Sequence, residues 1–281
     1  GEDGGSASST PQKKASAPAA EWGEFGHLPG KRFEDFAEIR DEISRDTVRV
    51  CGAKQVISRD PIVLKICSPK VLDLTLIDLP GIARVPVGDQ PQDIERQIRE
   101  LCMEHLRNPR CMILAVVAGN ADLATADALA VAREVDPNGV RTLGVVTKLD
   151  LVDHGADVMP VLEGRVYPLR LGFIGVVCRS FGDVQKGKNV ADQLESEDAF
   201  FGNHAKYRAL AHRSGIRHLS RRLNRVLMDH ICEALPDIRT QAMKLIREYE
   251  AELQGYGEAL SGQTASEQGA LLLSLIAKFA S

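Results

Sequence analysis

The sequence is short of three features, and each shortage argues against a class of protein. No apolar run reaches the roughly 18 residues that span a bilayer, so no membrane-spanning helix is expected. The six cysteines are scattered without a C-x-x-C pair, which argues against a zinc site or a disulfide framework and favours a reducing compartment. Basic residues are not in excess, because the net charge is -4, and this argues against a nucleic-acid partner.

What remains is an ordinary globular composition. The 281 residues are 44% hydrophobic and 26% charged, and this length allows one domain of about 200 residues plus an extra piece. Residues 1–20 are mostly Gly, Ser, Ala and Pro, a composition that predicts a disordered leader because it cannot bury enough apolar surface. Position 1 is Gly rather than Met, which leaves open where the gene product begins.

Residues 21–110 combine helical and alternating patterns. Apolar residues at helical spacing predict amphipathic helices over 33–50 and 92–106. Between them, "PIVLKIC" (61–67) and "VLDLTLID" (71–78) alternate with period two. Because the linker between these two runs is short, they predict a hairpin.

The middle of the chain predicts a parallel sheet covered by helices on both faces. Three continuous apolar runs are typical of strands buried on both sides: 111–119, 142–147 and 173–178. Helical segments are predicted between them, over 123–135 and 158–169. Beyond Phe181 the pattern is mostly helical, with apolar stripes over 216–233 and 238–254 that Pro236 is expected to separate.

Polar motifs follow three of the predicted strands, where open α/β sheets bind ligands. Asp78 and Gly81 end the first, "LTLIDLPG". An Asp there can hold the water shell of a phosphate-bound Mg²⁺, and a Gly can offer its amide to a γ-phosphate. A Pro-Gly turn without ligand is the alternative.

The motif "TKLD" (147–150) follows the second of these strands. A carboxylate at Asp150 matches the two adjacent donors of guanine, and Lys148 can lay its stem across the base. The alternative is that Asp150 only caps a helix. The third strand ends in Cys178, Arg179 and Ser180, where a small loop could pack against the base and offer an amide.

This order of motifs is that of a GTPase, and longer segments make the resemblance specific. "TLIDLPGIARVPVGDQPQDIERQI", "ILAVVAGNADLATADALAVAREVDPNGVRTLGVVTKLDLVD" and "YPLRLGFIGVV" resemble the G domain of the dynamin family, and the likeness runs from Trp22 to the end of the chain. It implies an α/β, GTPase-like, mostly parallel sheet, incomplete at the N-terminus. It also implies a partial G domain over 21–210, a bundle-signalling helix over 211–235 and the start of the stalk over 236–281.

The resemblance assigns roles by position. Nucleotide binding falls to Asp78, Gly81, Thr147, Lys148, Asp150, Cys178, Arg179 and Ser180, with Asp78 also serving the metal through water. Contacts across a G-domain dimer fall to Asp89, Gln90, Asp122 and Asp153, and a hinge falls to Pro236. GTP and Mg²⁺ are the implied cofactors of the complete protein. Self-association through G domain and stalk, a cytoplasmic and peripherally membrane-associated location, and microtubules as a further partner are implied as well.

The chain departs from the family at its phosphate-binding elements. No G-x-x-x-x-G-K-[ST] occurs in the 281 residues, and the switch-one threonine precedes the matched region, so no catalytic residue is assigned. These residues alone are expected to bind GTP weakly or not at all and not to hydrolyse it appreciably. Cys178 stands where the family usually has Asn, and Ala83 and Arg84 replace a common Thr-Lys pair. Two hypotheses follow: a partial dynamin-like GTPase, or a pseudo-GTPase that pairs with full-length relatives without turnover.

Overall fold

The structure is a computed structural model that describes residues 21–52, 57–69, 71–82, 86, 90–122, 126–153, 157–256 and 265–279. The predicted disordered leader (1–20), Asp89, Ala83 and Arg84 lie outside the described residues. The chain divides into two compact units, 1–227 and 228–281. The first is α/β and contains two three-stranded sheets, and the described part of the second is helical, so the predicted fold class is confirmed.

The first sheet is antiparallel and belongs to the N-terminal third of the chain. Strand β1 (Trp22–Phe25) lies between β2 (Arg32–Phe33) and β3 (Leu64–Cys67). Helix α1 (Phe36–Cys51), which the apolar spacing predicted, begins after Asp35, whose side chain accepts the Ala37 amide. Phe25, Phe33 and Ile39 form the core beneath this sheet.

The predicted hairpin is wrong. Strand β3 exists, but its ladder partner is β1, with Trp22 opposite Cys67. Residues 71–78 have the alternating pattern of a strand but form no strand. Leu76 and Ile77 are more than half exposed. Alternation gives a segment one apolar face, but a strand also needs a neighbour for its backbone N–H and C=O groups, and no described strand pairs with this one.

The second sheet is the parallel one that the continuous apolar runs predicted. Its order is β4 (Ile113–Ala118), β5 (Thr142–Thr147) and β6 (Phe173–Gly175). Strand β5 is buried along nearly its whole length. Gly144 on β5 is opposite Phe173 on β6, and a Cβ at Gly144 would lie 2.2 Å from the Phe173 ring, so the aromatic ring needs glycine there.

Helices cover this sheet, with one shorter than predicted. Helices α2 (Ile94–Leu106) and α3 (Asp127–Val135) lie within the predicted segments. The helix expected over 158–169 is a single turn, α4 (Met159–Leu162). Gly164 follows with a φ of 73°, a left-handed conformation that ends a right-handed helix. Helices α5 (Phe181–Gln185) and α6 (Val190–Asn203) follow β6.

Buried polar groups hold the amino edge of the parallel sheet. Asp136 is buried and accepts hydrogen bonds from the Val140 and Arg141 amides, both at 2.9 Å, and from Thr142 Oγ1 at 2.7 Å. The Arg141 guanidinium donates to the Leu106 carbonyl at the end of α2 at 2.7 Å. Burial opposes ionisation of Asp136, but the hydrogen bonds from Thr142 and the two amides, with the Arg141 charge, lower its pKa overall.

We expect Asp136→Asn to destabilise the chain at neutral pH and to lose this effect in acid. A lowered native pKa means that the wild-type carboxylate contributes stability above its unfolded pKa near 3.8 and loses it as the pH falls through the native value. The variant should unfold about 1–3 kcal/mol more easily at pH 7, and the difference should shrink below pH of about 4. Urea unfolding at several pH values measures this. An equal difference at all pH values would contradict it.

One long helix follows, and Pro236 does not end it. Helix α7 runs from Ile216 to Gly255 with Pro236 inside, so the predicted interruption is wrong. Proline removes one backbone hydrogen bond and opposes a helix locally, but a helix of 40 residues has many others. Helix α8 (Ala265–Phe279) follows. In the described residues no helix is both long and apolar enough to cross a membrane.

Candidate guanine-nucleotide site

The carboxyl ends of the three parallel strands meet at one edge of the sheet, and hydrogen bonds join the loops that leave it. The Gly119 amide, just after β4, donates to the Thr147 carbonyl at 2.7 Å. Thr147 Oγ1 donates to the Val117 carbonyl at 3.2 Å. The Val176 amide, just after β6, donates to the Val146 carbonyl at 2.8 Å. The structure therefore brings the loops after β4, β5 and β6 together. Of the three predicted motif segments, "TKLD" and Cys178 to Ser180 follow strands of this sheet, and "DLPG" does not.

The "TKLD" segment is anchored by its middle residue. Leu149 is 2% exposed, and its side chain lies where a Cβ on Gly119 (3.1 Å) or Gly175 (2.5 Å) would meet it. The flanking side chains of Lys148 and Asp150 are exposed. This arrangement leaves one carboxylate and one amine at the sheet edge on a fixed backbone, which a base-binding pair requires.

Lys148 has an unusual backbone conformation. Its φ of 56° and ψ of 37° are left-handed, and it is the one non-glycine residue with positive φ in the described part of the chain. Such a conformation costs an L-residue about 1 kcal/mol, and strain of this kind concentrates at functional sites. The conformation is compatible with the role predicted for Lys148 at the base, which stays a prediction.

We expect Lys148→Gly to be about 1 kcal/mol more stable than Lys148→Ala, because glycine adopts positive φ without a steric penalty. Both variants lose the stem that would cover the base, so both should bind guanosine more weakly than wild type. Urea unfolding midpoints compare the stabilities. Equal midpoints for the two variants would show that this conformation is not strained.

The loop after β6 is exposed at Cys178, Arg179 and Ser180. Arg179 Nη1 donates to the Lys188 carbonyl at 3.0 Å. Ser180 caps α5 by accepting the Asp183 amide, and the Asp183 carboxylate accepts the Ser180 amide in return. Although the residue is exposed, neighbouring protein atoms desolvate its thiol and raise the Cys178 pKa, and the negative charges of Glu197 and Asp150 add to this. Asp150, the carboxylate predicted to bind the base, is thus close enough to the Cys178 thiol to raise its pKa.

The sequence reasoning missed the residues that support this loop. Glu197 Oε1 accepts the Val177 amide at 2.8 Å, and Gln193 Nε2 donates to the Val177 carbonyl at 2.8 Å. Both side chains come from one face of α6 and both are buried. Their spacing of four residues, on a helix that the sequence did not predict individually, was the signal that could have found them.

The "DLPG" segment is not part of the parallel ladder. Asp78 and Gly81 are exposed in a stretch without strand structure, which corrects the prediction that a strand ends there. Leu79 and Ile82 instead pack against the apolar cluster of Ile94, Ile98 and Cys102 on α2. Apolar contact with a helix holds this segment, so its hydrogen-bonding groups are not fixed by a sheet.

The implied Mg²⁺ has no protein cage in the described residues. No group of three or more His, Cys, Asp or Glu side chains there could hold a metal ion. Asp78 is an exposed carboxylate, which suits the indirect, water-mediated contact predicted for it but cannot bind the ion alone. The donors present do not form a Mg²⁺ site, and Asp78 as a metal contact stays a prediction.

The residues assigned to dimer contacts lie at different places. Asp122 follows β4 and Asp153 follows β5, so both are near the carboxyl edge of the sheet, and both are exposed. Gln90 is partly buried just before α2. Asp89 lies outside the described residues. Their contacts across a dimer stay predictions.

Comparison with known proteins decides the family. The model described as "Dynamin family" matches residues 6–149, and the one described as "Dynamin central region" matches residues 157–281. The chain belongs to the dynamin family. The junction between the two matches falls between β5 and β6 of one sheet, so it is not a structural boundary, and the predicted domain limits stay proposals.

Relatives support the same assignment. Dynamin-A of Dictyostelium discoideum is 52% identical over 93% of this chain and 30% of its own length. A Dynamin-1-like protein of Danio rerio is 53% identical over 92% of this chain and 37% of its own. Dynamin-related protein DNM1 of Saccharomyces cerevisiae is 48% identical over 93% and 34%. The chain thus spans about a third of these dynamin relatives.

Proposed function

We propose that this chain provides the guanine-recognition part of a dynamin-type GTPase, which hydrolyses GTP to GDP and phosphate. The observation that carries the proposal is the anchored "TKLD" turn, with Leu149 buried and Lys148 and Asp150 exposed on either side of it. Family membership supports the reaction, and the sheet edge supports the base specificity. No observation favours the pseudo-GTPase alternative.

The chemistry of the proposed base site follows from three groups. The Asp150 carboxylate offers two acceptors to the N1–H and exocyclic amine of guanine, a donor pair that adenine lacks. The Lys148 stem covers one face of the base while its amine stays in water. The loop at Cys178 to Ser180 would face the other side, where Cys178 offers no amide side chain of the kind the family's Asn has.

Phosphate binding and turnover belong to the proposal for the whole protein. The 281 residues contain no G-x-x-x-x-G-K-[ST], so no residue here is assigned to cradle the phosphates or to activate water. GTP supplies the reacting phosphoryl group when bound. The role proposed for this chain's own residues is to select and orient the base.

Self-assembly and membrane remodelling are the wider function that we propose. Asp89, Gln90, Asp122 and Asp153 would contact a second G domain, and residues 236–281 would begin the stalk with Pro236 as a hinge. A cytoplasmic, peripherally membrane-associated location follows from the family resemblance, as does contact with microtubules. Membership of the dynamin family supports assembly of this kind, and the membrane and microtubule partners stay predictions.

Hydrogen exchange of the 281-residue chain with millimolar GDP or ADP tests the base site. We expect GDP to slow amide exchange in 147–151 and 178–180, because both loops would contact the base, while ADP leaves them unchanged. Amides of α1 serve as an internal reference in both samples. Equal protection by the two nucleotides, or none by GDP, would contradict the proposal.

A further inference from the structure

A buried carboxylate lies between the nucleotide edge of the sheet and the long helix α7. The Glu197 side chain on α6 is among the most buried in the protein, at 1% exposure. Its Oε1 accepts the Val177 amide at 2.8 Å, and its Oε2 accepts the Ile216 amide at 2.7 Å. Val177 precedes the proposed base loop, and Ile216 is the first residue of α7.

Neighbouring contacts hold both segments that Glu197 joins, the end of β6 and the start of α7. The Gly215 amide donates to the carbonyl of Gly175, the last residue of β6, at 2.8 Å. Gln193, one turn before Glu197 on α6, donates to the Val177 carbonyl. Gly215 has a φ of 88°, and a Cβ there would lie 3.2 Å from Glu197 Oε2, so the close approach of chain and carboxylate needs glycine.

Burying the Glu197 carboxylate costs folding free energy unless both of its oxygens accept hydrogen bonds. Burial raises the pKa of Glu197, an effect that the Val177 and Ile216 amides partly oppose. The start of α7 also favours a negative charge, because helix amides point toward it. Removing either amide leaves a buried oxygen without its partner, so a displacement at one end acts on the other.

We infer that Glu197 is a positioning residue that couples the loop of Cys178, Arg179 and Ser180 to the first turn of α7. A change in this loop shifts the Val177 amide, the carboxylate follows, and the Ile216 amide gains or loses its acceptor. Coupling of this kind is reciprocal, so α7 biases the loop to the same degree. Its bearing on nucleotide binding rests on the proposed function, whereas the coupling itself does not.

A nucleotide-free experiment tests the coupling on the 281-residue chain. Ser180→Ala removes the cap of α5 and loosens the loop locally. Hydrogen exchange of amides 219 and 220 then reports the first turn of α7, because the Leu219 amide donates to the Gly215 carbonyl at 2.9 Å, whereas the earlier amides of a helix have no intrahelical acceptor. We expect Ser180→Ala to speed their exchange several-fold in the wild-type background and to change it less than twofold when Glu197→Gln is already present, because glutamine cannot accept both amides.

Matched variants separate this coupling from general loss of stability. Glu195→Gln changes an exposed carboxyl on the same helix, and Ser180→Ala should act through it as in wild type. If Glu197→Gln does not fold, Ile216→Pro removes the α7 amide at a position where proline is tolerated, and Ile216→Val keeps that amide. The effect of Ser180→Ala on amide exchange in α7 should persist in the Ile216→Val background and disappear in the Ile216→Pro background.

Two results would overturn the inference. One is an undiminished effect of Ser180→Ala on amides 219 and 220 in the Glu197→Gln or Ile216→Pro background, which would mean that the coupling runs through other residues. The other is no effect of Ser180→Ala in wild type, which would mean that loop and helix are independent. Because no nucleotide is present, either result leaves the proposed base site standing, and a failed GDP experiment leaves this coupling standing.

Discussion

Asp150→Asn should reverse the base preference of the site from guanine to xanthine. The wild-type Asp150 carboxylate accepts hydrogen bonds from two adjacent guanine donors. Xanthine has an oxygen in place of the exocyclic amine, and this oxygen would repel the carboxylate. Asparagine donates to that oxygen and still accepts from the neighbouring N–H. Each hydrogen bond to a charged group contributes about 1.5–3 kcal/mol, so the ratio of GDP to XDP affinity should change by a factor on the order of 100 or more.

Competition binding with GDP and XDP measures this ratio. Asp153→Asn is the matched control, since it removes a nearby exposed carboxylate that is assigned to a dimer contact and not to the base. It should leave the preference of the isolated chain unchanged. Guanine selectivity that survives Asp150→Asn would show that another group reads the base.

Turnover of GTP by the 281 residues alone should stay at the uncatalysed level. Phosphoryl transfer depends on loop amides, a lysine and a hydroxyl that hold the phosphates and Mg²⁺, and the sequence has no motif that supplies them. Losing one electrostatic donor costs about 100- to 1,000-fold, so the loss of several should place turnover at least about 1,000-fold below a complete dynamin-type G domain.

Phosphate release at millimolar GTP measures this, with the Asp150→Asn variant purified identically as a control. A low rate shared by wild type and variant would come from a contaminant. A wild-type rate that exceeds the variant's, or a micromolar affinity for GTP, would show that other residues of this chain hold the phosphates.

The parallel sheet could be predicted because each strand is marked by a pattern within its own residues. Strands β4 and β5 are continuous apolar runs, and burial on both faces makes such runs distinctive. The position of "TKLD" at the edge of this sheet could be predicted as well, since Lys148 and Asp150 come directly after β5. Two of the three motif segments, "TKLD" and Cys178 to Ser180, therefore lie at one edge of this sheet, whereas "DLPG" follows no strand of it.

What the sequence did not predict depends on partners distant along the chain. The 71–78 segment has a strand pattern but no partner strand among the described residues, and β3 pairs with β1, about 40 residues earlier in the chain. Glu197 was not singled out in the sequence, because only the folded chain brings the Val177 and Ile216 amides to its two oxygens. Pro236 was expected to end a helix that neighbouring turns continue.

Binding of three nucleosides to the 281-residue chain tests the central claim most directly, since nucleosides carry no phosphate and report the base site alone. Ligand-observed NMR should rank guanosine above inosine and inosine above adenosine. Inosine lacks the exocyclic amine and so loses one bond to Asp150, and adenosine lacks both donors. Equal binding of the three, or a preference for adenosine, would contradict a guanine site at this edge.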